Sequence, residues 1–125
     1  MIINGGYGFL LANELIDKYN AKFKFGRWPD GLLGDILINY VENNHLKSIR
    51  AFASSTTDYR KLVEKVPWTD IDLKDGWLIL PEPDGGAIRK SPRAQREALL
   101  ALLKGNLHQN WASSEGLRLQ YINLI

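Results

Sequence analysis

Several sets of residues in this chain have the types and spacing that chemistry needs. The first is Asn4-Gly5-Gly6-Tyr7-Gly8, preceded by the apolar run Met1-Ile2-Ile3 and followed by apolar residues at helical spacing. A strand, a glycine loop and a helix in that order let backbone N–H groups approach a phosphate closely, and a helix N-terminus adds roughly half a positive charge. Gly5, Gly6 and Gly8 are therefore candidate phosphate-binding residues. The plain alternative is a tight strand-to-helix turn. The second set is Arg89-Lys90-Ser91-Pro92-Arg93-Ala94-Gln95-Arg96, with Lys104 further along. Ser91 as cap and Pro92 at the first helical position predict a helix that starts there and stops at Gly105. Cations then gather at the helix end that normally prefers acids, and a bound phosphate or nucleic-acid backbone would offset their repulsion. Arg89, Lys90, Arg93, Arg96 and Lys104 are the candidate anion or nucleic-acid contacts. Against this stands a solvated helix face with Arg93 paired to Glu97 one turn on.

Asp72-Leu73-Lys74, with Asp30 and Glu14 elsewhere, has the carboxylates and lysine of a divalent-metal nuclease or hydrolase. The same residues suit an ordinary turn, and no metal ligand set is assigned. His45 and His108 have no second ligand at useful spacing, and His45 reads as a group meeting free carbonyls at a helix end. Ser54-Ser55-Thr56-Thr57 offers hydroxyls without a local histidine to activate them, so helix capping is the more economical reading. Trp28 and Trp111 fall in predicted loops. There they can contact a protein partner or stack on bases, or else close the ends of the core.

Elements must position these groups. Phe9, Leu11, Ala12, Leu15, Ile16 and Tyr19 share one face of a predicted helix from Phe9 to Asn20, and Ala21 to Phe25 alternates as a half-exposed strand. Leu33, Ile36, Leu37, Tyr40 and Val41 predict a second helix over 32–43, with Asp30 as its cap. A strand within 46–53, a helix over 58–66 ended by Pro67, a hairpin turning at Asp75-Gly76, the helix after Ser91 and a strand within 117–125 complete the reading. Pro81 to Gly86 reads as an exposed loop. Helices alternating with strands favour an α/β fold, a single small domain over 1–125 with a partly parallel sheet and flanking helices. The alternative is α+β.

Asn4-Gly5-Gly6-Tyr7-Gly8-Phe9-Leu10-Leu11 resembles the glycine fingerprint of extended short-chain dehydrogenases and nucleotide-sugar epimerases, where Thr-Gly-Gly-x-Gly-Phe-Ile-Gly joins the first strand to a helix. The resemblance implies that Gly5, Gly6 and Gly8 line the pyrophosphate of a dinucleotide and that Arg27 meets a ribose 2′-phosphate. It covers about the first 25 residues. Leu11 stands at the third glycine and Asn4 at the threonine, and no tyrosine has a lysine four residues on, so the family's catalytic Tyr-x-x-x-Lys is missing.

Composition bounds what remains. A chain of 125 residues with 45% hydrophobic and 24% charged residues is an ordinary globular sequence long enough to fold without staples. Absence of cysteine excludes thiolate catalysis, and no apolar stretch approaches the roughly 18 residues of a membrane span. The net charge of +2 is too small to argue for nucleic acid by itself. The expectation is a cytoplasmic binding or regulatory module for a phosphate-bearing ligand, a nucleotide or nucleic acid, rather than a self-sufficient enzyme. A protein–protein interaction module using Trp28 and Trp111 is the alternative.

Overall fold

The most apolar run in the chain, Trp77-Leu78-Ile79-Leu80, lies at the centre of the fold. Leu78, Ile79 and Leu80 are completely buried, as a strand covered on both faces requires. The computed structural model describes residues 2–4, 8–11, 26, 28–54, 57–82 and 87–125. In chain order these form β1 (Ile2–Asn4), β2 (Gly8–Leu10), α1 (Leu32–Asn43), β3 (Ser48–Phe52) and α2 (Asp58–Lys65). A 3₁₀ turn (Trp68–Asp70), β4 (Asp75–Pro81), α3 (Ala87–Leu103) and β5 (Leu119–Asn123) follow. The sheet β3-β4-β5 is mixed: β3 is parallel to β4 and β5 antiparallel to it. This is the predicted partly parallel sheet with flanking helices.

Strand alternation divides the core between two faces. Leu78 and Leu80 pack with Val41 of α1, Ala53, Val63, Val66 and Trp68 on one face. Trp68 closes that side, its indole N–H donating to the Val63 carbonyl at 2.8 Å. Ile79 points the other way, toward α3, which lies against β4 with Ala94, Ala98 and Ala101 buried. Small side chains at that spacing let the helix approach the sheet closely.

The structure corrects the sequence reading at several boundaries. Phe9 and Leu10 do not start a helix. Gly8–Leu10 is a strand paired antiparallel with Ile2–Asn4, in the register Ile2↔Leu10 and Asn4↔Gly8. The predicted helix beyond residue 11 and the strand over 21–25 lie outside the described residues. Asp30 does not cap α1. The cap is Gly31, whose φ of 76° needs a residue without a side chain. His45 ends α1 through its backbone rather than its imidazole. It takes φ 53°, donates its N–H to Glu42, and leads to Leu46, whose N–H donates to Val41. That double bond pattern is a Schellman motif with histidine at the position usually held by glycine. Gly105 ends α3 in the same way, with φ 73° and bonds from Gly105 to Leu102 and from Asn106 to Ala101.

Two larger corrections concern β4 and α3. Asp75-Gly76 is not a hairpin turn but the start of β4, paired with Ser48 and Ile49. Asp75 is held there by Ser48 and Arg50 of the neighbouring strand, and buried Gly76 lies beneath Leu124 and Ile125. Tertiary partners thus overrode a good local turn signal. Helix α3 starts at Ala87, leaving Ser91 and Pro92 inside it. Ser91 cannot serve as a cap because its hydroxyl is engaged with Ser54 and Gln95.

Candidate functional site

After β3 the chain turns into α2 on one face of the sheet. After β4 it leads into α3 on the other. In open α/β sheets, adjacent parallel strands whose following helices diverge mark, outside their carboxyl ends, the place where ligands commonly bind. Both helix N-termini are delivered to this end, because each helix follows directly from a strand that finishes there.

A polar cluster joins the chain just beyond β3 to α3. Ser54, two residues beyond β3, has its hydroxyl 3.0 Å from that of Ser91 on α3. The Gln95 side-chain amide donates to Ser54 Oγ at 2.6 Å and to Ser91 Oγ at 3.2 Å. Ser91 is buried and Ser54 half-buried. Even-numbered β3 residues and odd-numbered β4 residues share the α3 side, through the pairs Arg50↔Trp77 and Phe52↔Ile79, so the alternation carries Ser54 toward α3. Thr57 is the N-cap of α2 but makes no side-chain cap bond. Its hydroxyl donates instead to the Ser54 carbonyl at 3.1 Å. The Thr57 backbone carbonyl accepts from the Arg60 N–H at 3.2 Å in the first turn of α2. Asp58 in that turn is paired with Lys61 at 3.3 Å.

The sequence reading treated Ser54 and Thr57 as caps and passed over Gln95. The only local signal for the cluster was a run of hydroxyls directly after an apolar strand. Ser55 and Thr56 lie outside the described residues.

The basic stretch is divided by the true helix boundaries. Arg89 and Lys90 stand in the first turn of α3, at the carboxyl end of the parallel strands; the Arg89 side chain lies outside what is described. Arg93 donates from Nε to Glu97 at 3.2 Å and lies 3.8 Å from Glu115, the self-paired arrangement. Arg96 is exposed. Lys104, directly after α3, is roughly 20 Å along the helix axis from Lys90 at the usual rise, so it belongs to the other end of the sheet. Glu97 also accepts from the Ser114 N–H at 2.7 Å and the Ser114 hydroxyl at 2.6 Å, and these donors hold its carboxyl below the usual range. Gly5, Gly6 and Arg27 lie outside the described residues, and Gly8 opens β2.

The acidic residues do not converge. Asp30 lines a hollow of about 540 Å³ between the start of α1 and the end of α2, together with Trp28, Leu33, Leu62 and Val66. Asp72 lines a separate hollow of about 140 Å³ beside His45 and Lys47. Lys47 donates to Asp72 at 2.5 Å, and its hydrogen bond and charge hold that carboxyl below its ordinary value. Asp75 is lowered by hydrogen bonds from Arg50 and Ser48. Among the described residues no three His, Asp or Glu side chains are grouped to hold a metal ion. Glu14 lies outside them. Trp28 is half-buried against Leu33 and Leu62, and Trp111 is half-buried in its loop. No helix among the described residues is long and apolar enough to cross a membrane. Compared with protein families, with characterised proteins and with solved structures, the chain shows no significant match.

Proposed function

We propose that the chain is a small binding module for a phosphate-bearing ligand, a nucleotide or nucleic acid, seated in the crevice at the carboxyl ends of β3 and β4. The observation that carries this reading is the hydrogen-bonded set Ser54, Ser91 and Gln95, which links the chain just beyond β3 to α3. Hydroxyl donors, two helix N-termini and the first-turn cations Arg89 and Lys90 are complementary to phosphoryl oxygens. The glycine residues Gly5, Gly6 and Gly8 lose the helix N-terminus on which their phosphate reading rested, because Gly8 opens β2 rather than a helix.

A thermal-shift panel with nicotinamide dinucleotides, mononucleotides, short DNA and short RNA tests the reading. A ligand at about 100 times its Kd adds about 2.7 kcal/mol of stability. A shift cut to roughly half by Ser54→Ala and by Gln95→Leu, as a tenfold loss of affinity requires, supports the crevice. An oligonucleotide shift that fades with salt and disappears in the double variant Arg89→Ala/Lys90→Ala assigns nucleic acid as the ligand. A shift lost only in Gly6→Val moves the site to the glycine loop, and no shift with any ligand overturns the proposal.

One observation favours a protein-interaction module instead: Leu99, Leu100 and Leu103 of α3 are 44%, 43% and 74% exposed. On that reading Leu99→Ser/Leu103→Ser removes partner binding or self-association in sedimentation and leaves ligand shifts intact.

A further inference from the structure

The order β3-β4-β5 leaves two strand edges, and the hydrogen-bond register tells what each presents. Between β4 and β5 the bonded pairs are even-numbered: the Leu124 N–H donates to Gly76 at 2.9 Å and the Glu82 N–H to Arg118 at 2.8 Å. Antiparallel ladders alternate bonded and non-bonded pairs, so the N–H and C=O groups of Tyr121 and Asn123 point away from β4. Among the described residues no strand pairs with that side of β5. Only the start of the edge is taken, where Ala112 is bridged to Arg118 and the Ser113 N–H donates to Leu117 at 2.8 Å. Tyr121 and Asn123, beyond it, are exposed.

An open edge is a template for another strand, and proteins commonly blunt one with charges, proline or a bulge. The β3 edge is blunted in this way. Ala53 donates to Ile79, so Ser48, Arg50 and Phe52 face outward there, beside the ion pairs Lys47–Asp72 and Arg50–Asp75. Residues 119–125, Leu-Gln-Tyr-Ile-Asn-Leu-Ile, carry no charged side chain, no proline and no glycine. We propose that the free edge of β5 pairs with β5 of a second copy of this chain, antiparallel, with Ile122 facing its own counterpart across a two-fold axis. Tyr121 and Asn123 of each copy then share about four backbone hydrogen bonds with the same residues of the other.

The edge is complementary to itself. Antiparallel pairing sets the two Arg118 side chains at opposite ends, so no like charges meet. Ile122 packs on the core around Leu78 and Leu80, and an Ile122 pair continues that apolar face across the axis. Centring the pair on Tyr121 instead would set Ile122 against Gln120 and bring Asn123 to Leu119, where the 111–113 segment already stands. One strand pair buries less than a standard interface, so the dimer is weak and concentration-dependent. Strand β4 separates this edge from β3, and the pairing is independent of the crevice.

Sedimentation velocity over a concentration series reads the pairing, and the unsubstituted protein should move from monomer toward dimer as concentration rises. Asn123→Pro deletes an outward N–H without touching the ladder to β4, a position where edge strands tolerate proline. It removes a hydrogen bond from each copy and should weaken the dimer by about 10-fold or more. Urea unfolding checks that the variant folds. Because the chain has no cysteine, Ile122→Cys adds a test of register. Directly opposite residues of a non-bonded pair have Cα atoms about 4.5 Å apart, inside the disulfide range of about 4.4–6.8 Å. In a glutathione redox buffer Ile122→Cys should form a covalent dimer, whereas Gln120→Cys, about 13 Å along the pair from its counterpart, should not. The proposal is overturned if the unsubstituted protein is monomeric at about 1 mM, if Asn123→Pro dimerises as tightly as the unsubstituted protein, or if the two cysteine variants cross-link equally. A dimer lost in Leu99→Ser/Leu103→Ser and kept in Asn123→Pro places the interface on α3 and overturns it as well.

Discussion

The two ends of the parallel pair β3-β4 carry polar side chains in contrasting states. At the amino end the charges satisfy one another: Lys47 holds Asp72, and Arg50 with Ser48 holds Asp75. At the carboxyl end the cluster of Ser54, Ser91 and Gln95 is uncharged and held by hydrogen bonds alone. Ion pairs that neutralise each other leave little for a ligand, whereas neutral donors beside helix N-termini complement an anion. The difference separates residues that fasten strands together from residues that can receive something.

The largest effect should come from disturbing the amino end. Gly76 is buried with Leu124 Cβ at 3.5 Å and Ile125 Cγ2 at 3.6 Å from the position a Cβ would take. Gly76→Ala would just fit, while the branched Gly76→Val overpacks and should lower stability by about 1–3 kcal/mol in urea unfolding. Phosphate affinity should be unchanged. A loss of binding in proportion to stability would dissolve the distinction between the ends.

At the carboxyl end, Gln95→Leu should reverse that pattern. It removes the amide that orients both serines, so phosphate binding should fall by about 10-fold while the unfolding midpoint moves little. Calorimetric titration beside urea unfolding measures both.

His45→Gly sharpens the structural side. A left-handed C-cap residue other than glycine costs stability, so the variant should gain about 0.5–1 kcal/mol with binding unaltered. Thermal unfolding reads the gain.

Smallest is the acid response. Asp72 and Asp75 have folded values depressed below 3.8, so the unfolded chain takes up protons first as pH falls. Their contribution is fully present above 3.8 and is lost as pH drops through the lower folded values. Asp72→Asn/Asp75→Asn should flatten the acid limb of a stability profile taken from about pH 6 to pH 2. Phosphate binding at neutral pH should not respond.

How legible this was varies by element. Helix α1 and strand β3 follow from patterns that one segment contains: Leu33, Leu37 and Val41 at helical spacing, and Ile49 and Ala51 on one strand face. Asp75-Gly76 misled because the same dipeptide fits a turn and the first residues of a strand; Ser48 and Arg50, about 25 positions away, decided between them. Ser91-Pro92 misled likewise, since the partners that engage Ser91 include Ser54 from a different element. The predicted Arg93 to Glu97 pair needed only the helix period, and it is present.

By itself the sequence determined the secondary-structure types over most of the described chain, the mixed α/β character, the Gly105 helix stop and the absence of cysteine chemistry. Local periodicity and capping carry that information within a few residues. Only the tertiary structure decided that β3 and β4 run parallel with their following helices on opposite faces. That arrangement brings Ser54 to Ser91 and Gln95 across 37 and 41 positions of chain. A hydroxyl's role depends on which groups surround it, and those neighbours are set by packing of the sheet rather than by anything adjacent in sequence.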